Sequence, residues 1–183
     1  MSKDINSGKK KKSIPFQLLI VVMLLAVVGG SFGLNVLGLG KQHSAPKQLG
    51  NLKLVSSVEG EQALTEVNSL HAADIGLTSA FVARYALGQE QVTVWVGTAE
   101  SRAGALSLMD RMLAGISKGD TGFSKPVKLV IPDGYHNHEV YQVQGPGGNQ
   151  FFYISKQAKE KVVWVTVETD DDTSILGQAI KTF

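Results

Sequence analysis

The sequence predicts an α+β domain, a mainly antiparallel sheet with helices on one face, carried behind a single N-terminal transmembrane helix. Three observations predict it. Short runs of period-two alternation are separated by Gly- and Pro-rich turns, the pattern of antiparallel hairpins. Three stretches with helical spacing are outnumbered by strands, so helices do not alternate with every strand as they would in a parallel α/β fold. One segment, Phe16 to Gly40, carries no charged residue.

The 183 residues are 43% hydrophobic and 19% charged, which suits one folded domain plus an appendage. There is no cysteine. That excludes disulfides, thiolate metal sites, covalent c-type haem, a cysteine nucleophile and a lipid-modified cysteine. The net charge of +2 is uneven: Lys3, Lys9, Lys10, Lys11 and Lys12 against Asp4 give residues 1–15 a charge of +4, leaving −2 for the rest. A nucleic-acid partner is therefore not expected.

Residues 1–15 read as a basic cytoplasmic tail and Phe16–Gly40 as a signal-anchor helix. Leu18–Val28 is unbroken hydrocarbon, and 25 helical residues rise about 37 Å, enough to cross a core of roughly 30 Å. Lys9–Lys12 stand just before it, which places the N-terminus in the cytoplasm and the residues after Lys41 outside it. A cleaved signal peptide would share the basic and apolar regions, with Val28–Gly29–Gly30 as its cleavage site. Apolar character running on through Phe32, Leu34, Val36, Leu37 and Leu39 favours the uncleaved anchor. Ala26, Gly29, Gly30, Gly33, Leu37 and Gly40 share one helical face, a small-residue stripe on which another membrane helix can pack closely; glycine is also simply common in such helices.

Residues 41–50 read as a polar linker and 51–183 as the extracytoplasmic domain. Leu52–Val58 is a strand and Glu61–Leu70 a short helix with Leu64, Val67 and Leu70 in phase. Ala80–Leu87 and Gln91–Val96 form a hairpin about Gly88–Gln89. Thr98 is placed to cap a helix running to about Lys118, with Leu106, Met109, Met112, Leu113 and Ile116 as its apolar stripe and Gly119 ending it. Four strands follow: Val127–Ile131, Glu139–Gln144, Gln150–Ser155 and Lys161–Val167. Thr169–Thr173 opens a last helix carrying Ile175, Leu176, Ala179, Ile180 and Phe183. Tyr85 followed by Val94–Trp95–Val96 and a helix, then Tyr153 followed by Val163–Trp164–Val165 and a helix, suggests two ββα halves in a duplicated, ferredoxin-like arrangement.

Ala83–Arg84–Tyr85, Val92–Thr93–Val94–Trp95, Phe123–Ser124–x–Pro126 and Gln150–Phe151–Phe152–Tyr153 before Val163–Trp164 together resemble a family of uncharacterised bacterial envelope proteins, over roughly residues 80–170. These motifs are structural. The resemblance implies no activity and carries over no functional residue. His136–Asn137–His138 departs from the family's shorter turn.

No catalytic or cofactor-binding motif is present. His136 and His138 would project from one face of a strand, and with Asp133, Glu139 or His71 offer metal ligands; an exposed polar hairpin explains them as well. Asp170–Asp171–Asp172 lacks the alternation of a calcium loop and reads as a helix cap. Gly145–Pro146–Gly147–Gly148 has neither the spacing nor the following helix of a dinucleotide loop. Gly38–Leu39–Gly40–Lys41 lacks the Ser or Thr of a phosphate loop. Phe151 and Phe152 are adjacent, so one points away from the face that buries the other and marks a contact surface unless a helix covers it. No cofactor, metal or catalytic residue is expected. The expected function is a non-enzymatic accessory or assembly subunit of a bacterial inner-membrane complex, respiratory or photosynthetic, whose partners are membrane proteins and the bilayer. The alternative is a membrane-anchored extracytoplasmic ligand-binding or sensor domain.

Overall fold

The computed structural model describes residues 45–71, 74–119, 121–129, 138–169 and 172–183. The proposed span with its stripe (Ala26, Gly29, Gly30, Gly33, Gly40), His136 and Asp170–Asp171 lie outside the described residues. Among the described residues, no helix is long and apolar enough to cross a membrane.

Eight strands form one sheet: β1 (Gln48–Leu49), β2 (Leu52–Glu59), β3 (Leu77–Leu87), β4 (Glu90–Ala99), β5 (Val127–Lys128), β6 (Val140–Gly145), β7 (Gly148–Ile154) and β8 (Lys161–Glu168). Among the described residues three helices accompany them: α1 (Gly60–His71), α2 (Arg102–Ser117) and α3 (Asp172–Thr182). The order across the sheet is β1-β2-β3-β4-β8-β7-β6-β5, with every neighbouring pair antiparallel. The α+β class and the antiparallel sheet are thus as expected.

Residues 45–50 belong to the fold and are not a linker. Leu49 is fully buried, Ala45 nearly so, and the backbone N–H of Leu54 donates to Lys47 O at 3.0 Å. Strand β4 runs on past Thr98 to Ala99, whose N–H donates to Glu160 O, so the cap of α2 falls on Ser101, whose Oγ accepts from Gly104 N at 3.2 Å. The β6–β7 hairpin needs glycine at Gly148, where φ is 105° and a Cβ would stand 2.7 Å from the backbone O of Val167.

The helices do not share one face. Alternate residues of β4 and β8 project to opposite sides. Val92, Val94, Val96, Val163, Val165 and Val167 make a valine face, covered by Ile175, Leu176, Ala179, Ile180 and Phe183 of the α3 end and by Ala45 and Leu49. Trp95 and Trp164 look the other way, where α1 (Ala63, Val67) and α2 (Ala105, Leu108, Met109, Ile116) pack with Phe152 and Val162. The reason is the uninterrupted apolar character of Phe81–Ala83, Phe151–Tyr153 and Val162–Val165: strands greasy on both sides need a cover on both sides.

The strands of the two expected ββα halves lie symmetrically about the centre of the sheet, but their helices do not. Trp95 and Trp164 lie directly opposite each other on the central pair β4 and β8, flanked by β3 and β7, then β2 and β6. The tyrosines do not correspond. Tyr85 opposes Val92, whereas Tyr153 opposes Val163, beside the tryptophan; Phe81 opposite Val96 and Phe151 opposite Val165 are the true counterparts. The β3–β4 turn spans two residues and the β7–β8 connection six, so similar sequence spacings map to different registers. Moreover α2 and α3 cover opposite faces.

Candidate functional site

The aromatic face carries a ladder built by register. Tyr141, Phe152, Trp164, Trp95 and Val82 are successive cross-strand partners from β6 to β3. Phe152 stacks on Trp164 with centroids 4.8 Å apart and planes 7° from parallel, and on Tyr141 at 5.6 Å. Phe123 meets Trp164 edge-on at 5.8 Å. Trp164 Nε1 donates to Gln150 Oε1 at 2.7 Å, and Gln150 Nε2 donates to Pro146 O at 2.8 Å, so the one buried glutamine of the sheet is satisfied at both ends of its amide. Tyr141, Trp95 and Trp164 remain partly exposed.

The next row on this face is polar: Ser56, Arg84, Thr93, Thr166 and Gln150 follow one another strand by strand. Arg84 is partly buried and makes no hydrogen bond or ion pair among the described residues. Burial pulls its pKa down, with Glu66 of α1 opposing. Burial likewise raises that of Glu66, offset in part by Arg84.

Phe151 and Phe152 are not a contact surface. Their exposures are 3% and 0%, Phe151 beneath α3 and Phe152 beneath α2, because both faces of β7 are covered. The partly exposed aromatics are their ladder neighbours instead. His138 is placed with its ring 6.0 Å from that of Tyr153, edge to face; among the described residues no cluster of three metal-ligating side chains exists. Glu139 lies in an exposed ion pair with Lys128. Asp172 is the acidic residue in the first turn of α3, and its Oδ2 accepts a hydrogen bond from Asn149 Nδ2 at 2.7 Å.

Two buried tyrosines on the valine face differ. The hydroxyl of Tyr85 donates to Pro46 O at 3.0 Å, and burial pushes its pKa up to about 12. That of Tyr153 is buried with no hydrogen-bond partner among the described residues, and burial raises its pKa further. A shallow polar cleft of 270 Å³ lies where Gly50 and Asn51 meet Glu90, Thr169, Ser174, Ile175 and Gln178.

Two features escaped sequence reasoning. The role of 45–50 was hidden by its polar composition, although Leu49 and Leu52 bracketing Gly50–Asn51 is a hairpin signal. The exposed edge it creates, with Lys47, Lys53 and Val55, depends on an irregularity between Leu54 and Ser56 that no local pattern announces. No family model, no curated protein and no solved structure matches this chain.

Proposed function

We propose that the chain is a non-enzymatic accessory or assembly subunit of a bacterial inner-membrane protein complex, anchored by Phe16–Gly40 with its α+β domain on the extracytoplasmic side. The observation that carries this is the uncharged 25-residue run behind Lys9–Lys12. The Ala26, Gly29, Gly30, Gly33 and Gly40 stripe supports close packing against a partner helix, since association in lipid depends on backbone approach and van der Waals fit. The partly exposed Trp95, Trp164 and Tyr141 beside Arg84 supply a second contact surface on the domain.

Replacing Gly29 and Gly33 together with Leu is expected to reduce co-migration with partners in blue-native electrophoresis, while the same change at Val21 and Val28 leaves it intact. Migration of the unaltered chain as a free monomer at native expression would end the proposal. The sensor reading is favoured by one observation, the cleft lined by Asn51, Glu90, Ser174 and Gln178. A thermal-shift response to a small polar metabolite, lost in Gln178→Ala, is its test.

A further inference from the structure

We propose that the β1–β2 edge, with Val55 at its centre and Lys47 and Lys53 beside it, rests on an anionic lipid surface at the root of the anchor. The proposal rests on reading Phe16–Gly40 as the membrane segment. Its first support is length. Only residues 41–44 separate Gly40 from Ala45, and the five Cα steps span at most about 18 Å when fully extended.

The second is where that chain joins the fold. Ala45 is already buried, and its N–H donates to Glu59 Oε1 at 3.0 Å. Pro46 O accepts from the Tyr85 hydroxyl and Lys47 O from Leu54 N. The chain therefore enters the domain alongside β2, and a tether of that length keeps this point of entry within about 18 Å of Gly40.

Exposure and charge are the third and fourth. Val55 sits at the irregularity that breaks the β2–β3 register and is 68% exposed, more than Leu87, Leu106 or Val127. A bulge of this kind takes one residue out of the ladder and turns it outward. Lys47 and Lys53 are both exposed beside it, and Lys41 falls within the tether, in a chain whose charge beyond residue 15 is −2. Of the nearby carboxylates, Glu59 is engaged by Ala45 N–H, and Glu61 is exposed at the first turn of α1. Ser56 and Ser57 are exposed on the same edge, where among the described residues no strand pairs beyond Lys53. One apolar side chain among lysines and hydroxyls suits shallow insertion at a headgroup layer, held by screened attraction to anionic lipid.

The absence of native cysteine makes the test clean. The full chain, with a single fluorophore on Val55→Cys or, as control, on Leu106→Cys of α2, is reconstituted into phosphatidylcholine vesicles with or without phosphatidylglycerol, each carrying a lipid-borne quencher. Quenching at position 55 should exceed that at 106 severalfold, require phosphatidylglycerol, and fall to the control level in a Lys47→Glu, Lys53→Glu background. Equal quenching at both sites overturns the proposal. So does a label at 55 that is unquenched in vesicles yet shielded in native membranes, which would assign the edge to a protein partner. Alkaline carbonate extraction of the same sample reads the anchor separately. A chain that resists extraction while position 55 stays unquenched loses only the edge contact; a chain that is extracted loses the anchor reading and this proposal together.

Discussion

The two faces of the sheet are made by the same strands and solve burial differently. On the valine face, Val92, Val94, Val96, Val163, Val165 and Val167 are each at most 2% exposed, under the short helix α3 and the segment 45–49. On the other face the residues between them, Thr93, Trp95, Trp164 and Thr166, are all partly exposed. The first face is held by area removed from water, at about 1.5–2 kcal/mol for each fully buried valine. The second combines stacking with a hydrogen-bonded chain from Trp164 through Gln150 to Pro146. A side chain's neighbour in sequence thus says little about its tolerance; the parity of its position along the strand decides.

The sharpest way to break the contrast is to place one charge on each of two adjacent residues. Val165→Asp should unfold the domain, costing more than about 4 kcal/mol, because an unpaired carboxylate enters a dry interior. Thr166→Asp, one residue later on the partly open face, should cost less than about 1 kcal/mol. Urea denaturation followed by circular dichroism measures both; similar midpoints would refute the two-face description.

Trp164 tests the aromatic ladder. Trp164→Ala should cost about 3 kcal/mol, since it removes stacking on Phe152 and the contact with Phe123. Trp164→Phe, which keeps a ring but leaves Gln150 Oε1 without its donor, should cost about 1 kcal/mol beyond any volume effect. Equal losses would mean that the indole N–H carries the whole effect and stacking none.

The smallest effects have opposite signs and lie within the valine face. Tyr153→Phe should stabilise by about 1 kcal/mol by removing a buried hydroxyl without a partner, and Tyr85→Phe should destabilise by about as much by removing the bond to Pro46 O. Both tyrosines have raised pKa values from burial, that of Tyr85 reaching about 12. An unfolded tyrosine ionises near pH 10, so above about pH 10 the unfolded chain loses its protons first, and stability falls as pH rises toward 12. Below pH 10 this contribution is fully present. Tyr153→Phe should flatten that alkaline decline in a pH series of thermal midpoints.

Much of the fold was legible because its signals are local. Gly88–Gln89 between alternating runs, and Gly145–Pro146–Gly147–Gly148 between two more, specify hairpins by turn chemistry alone. The opposition of Trp95 and Trp164 was only hinted at, by a shared Val–Trp–Val. The matching of Tyr85 with Tyr153 failed because a two-residue turn and a six-residue connection map similar sequence spacings onto different registers. Phe151 and Phe152 misled for a related reason: adjacency says that they part company, not whether both destinations are covered.

Composition and periodicity within a few residues suffice for the elements other than β1, the antiparallel character, the uncharged run at 16–40 and the lysines before it. Which face each helix covers, the burial of Ala45 and Leu49, the exposure of Val55 and the satisfaction of Gln150 by Trp164 are set by the tertiary structure. These depend on strands and segments distant in sequence meeting in one register, where burial and hydrogen bonding are properties of the assembled sheet rather than of any window along the chain.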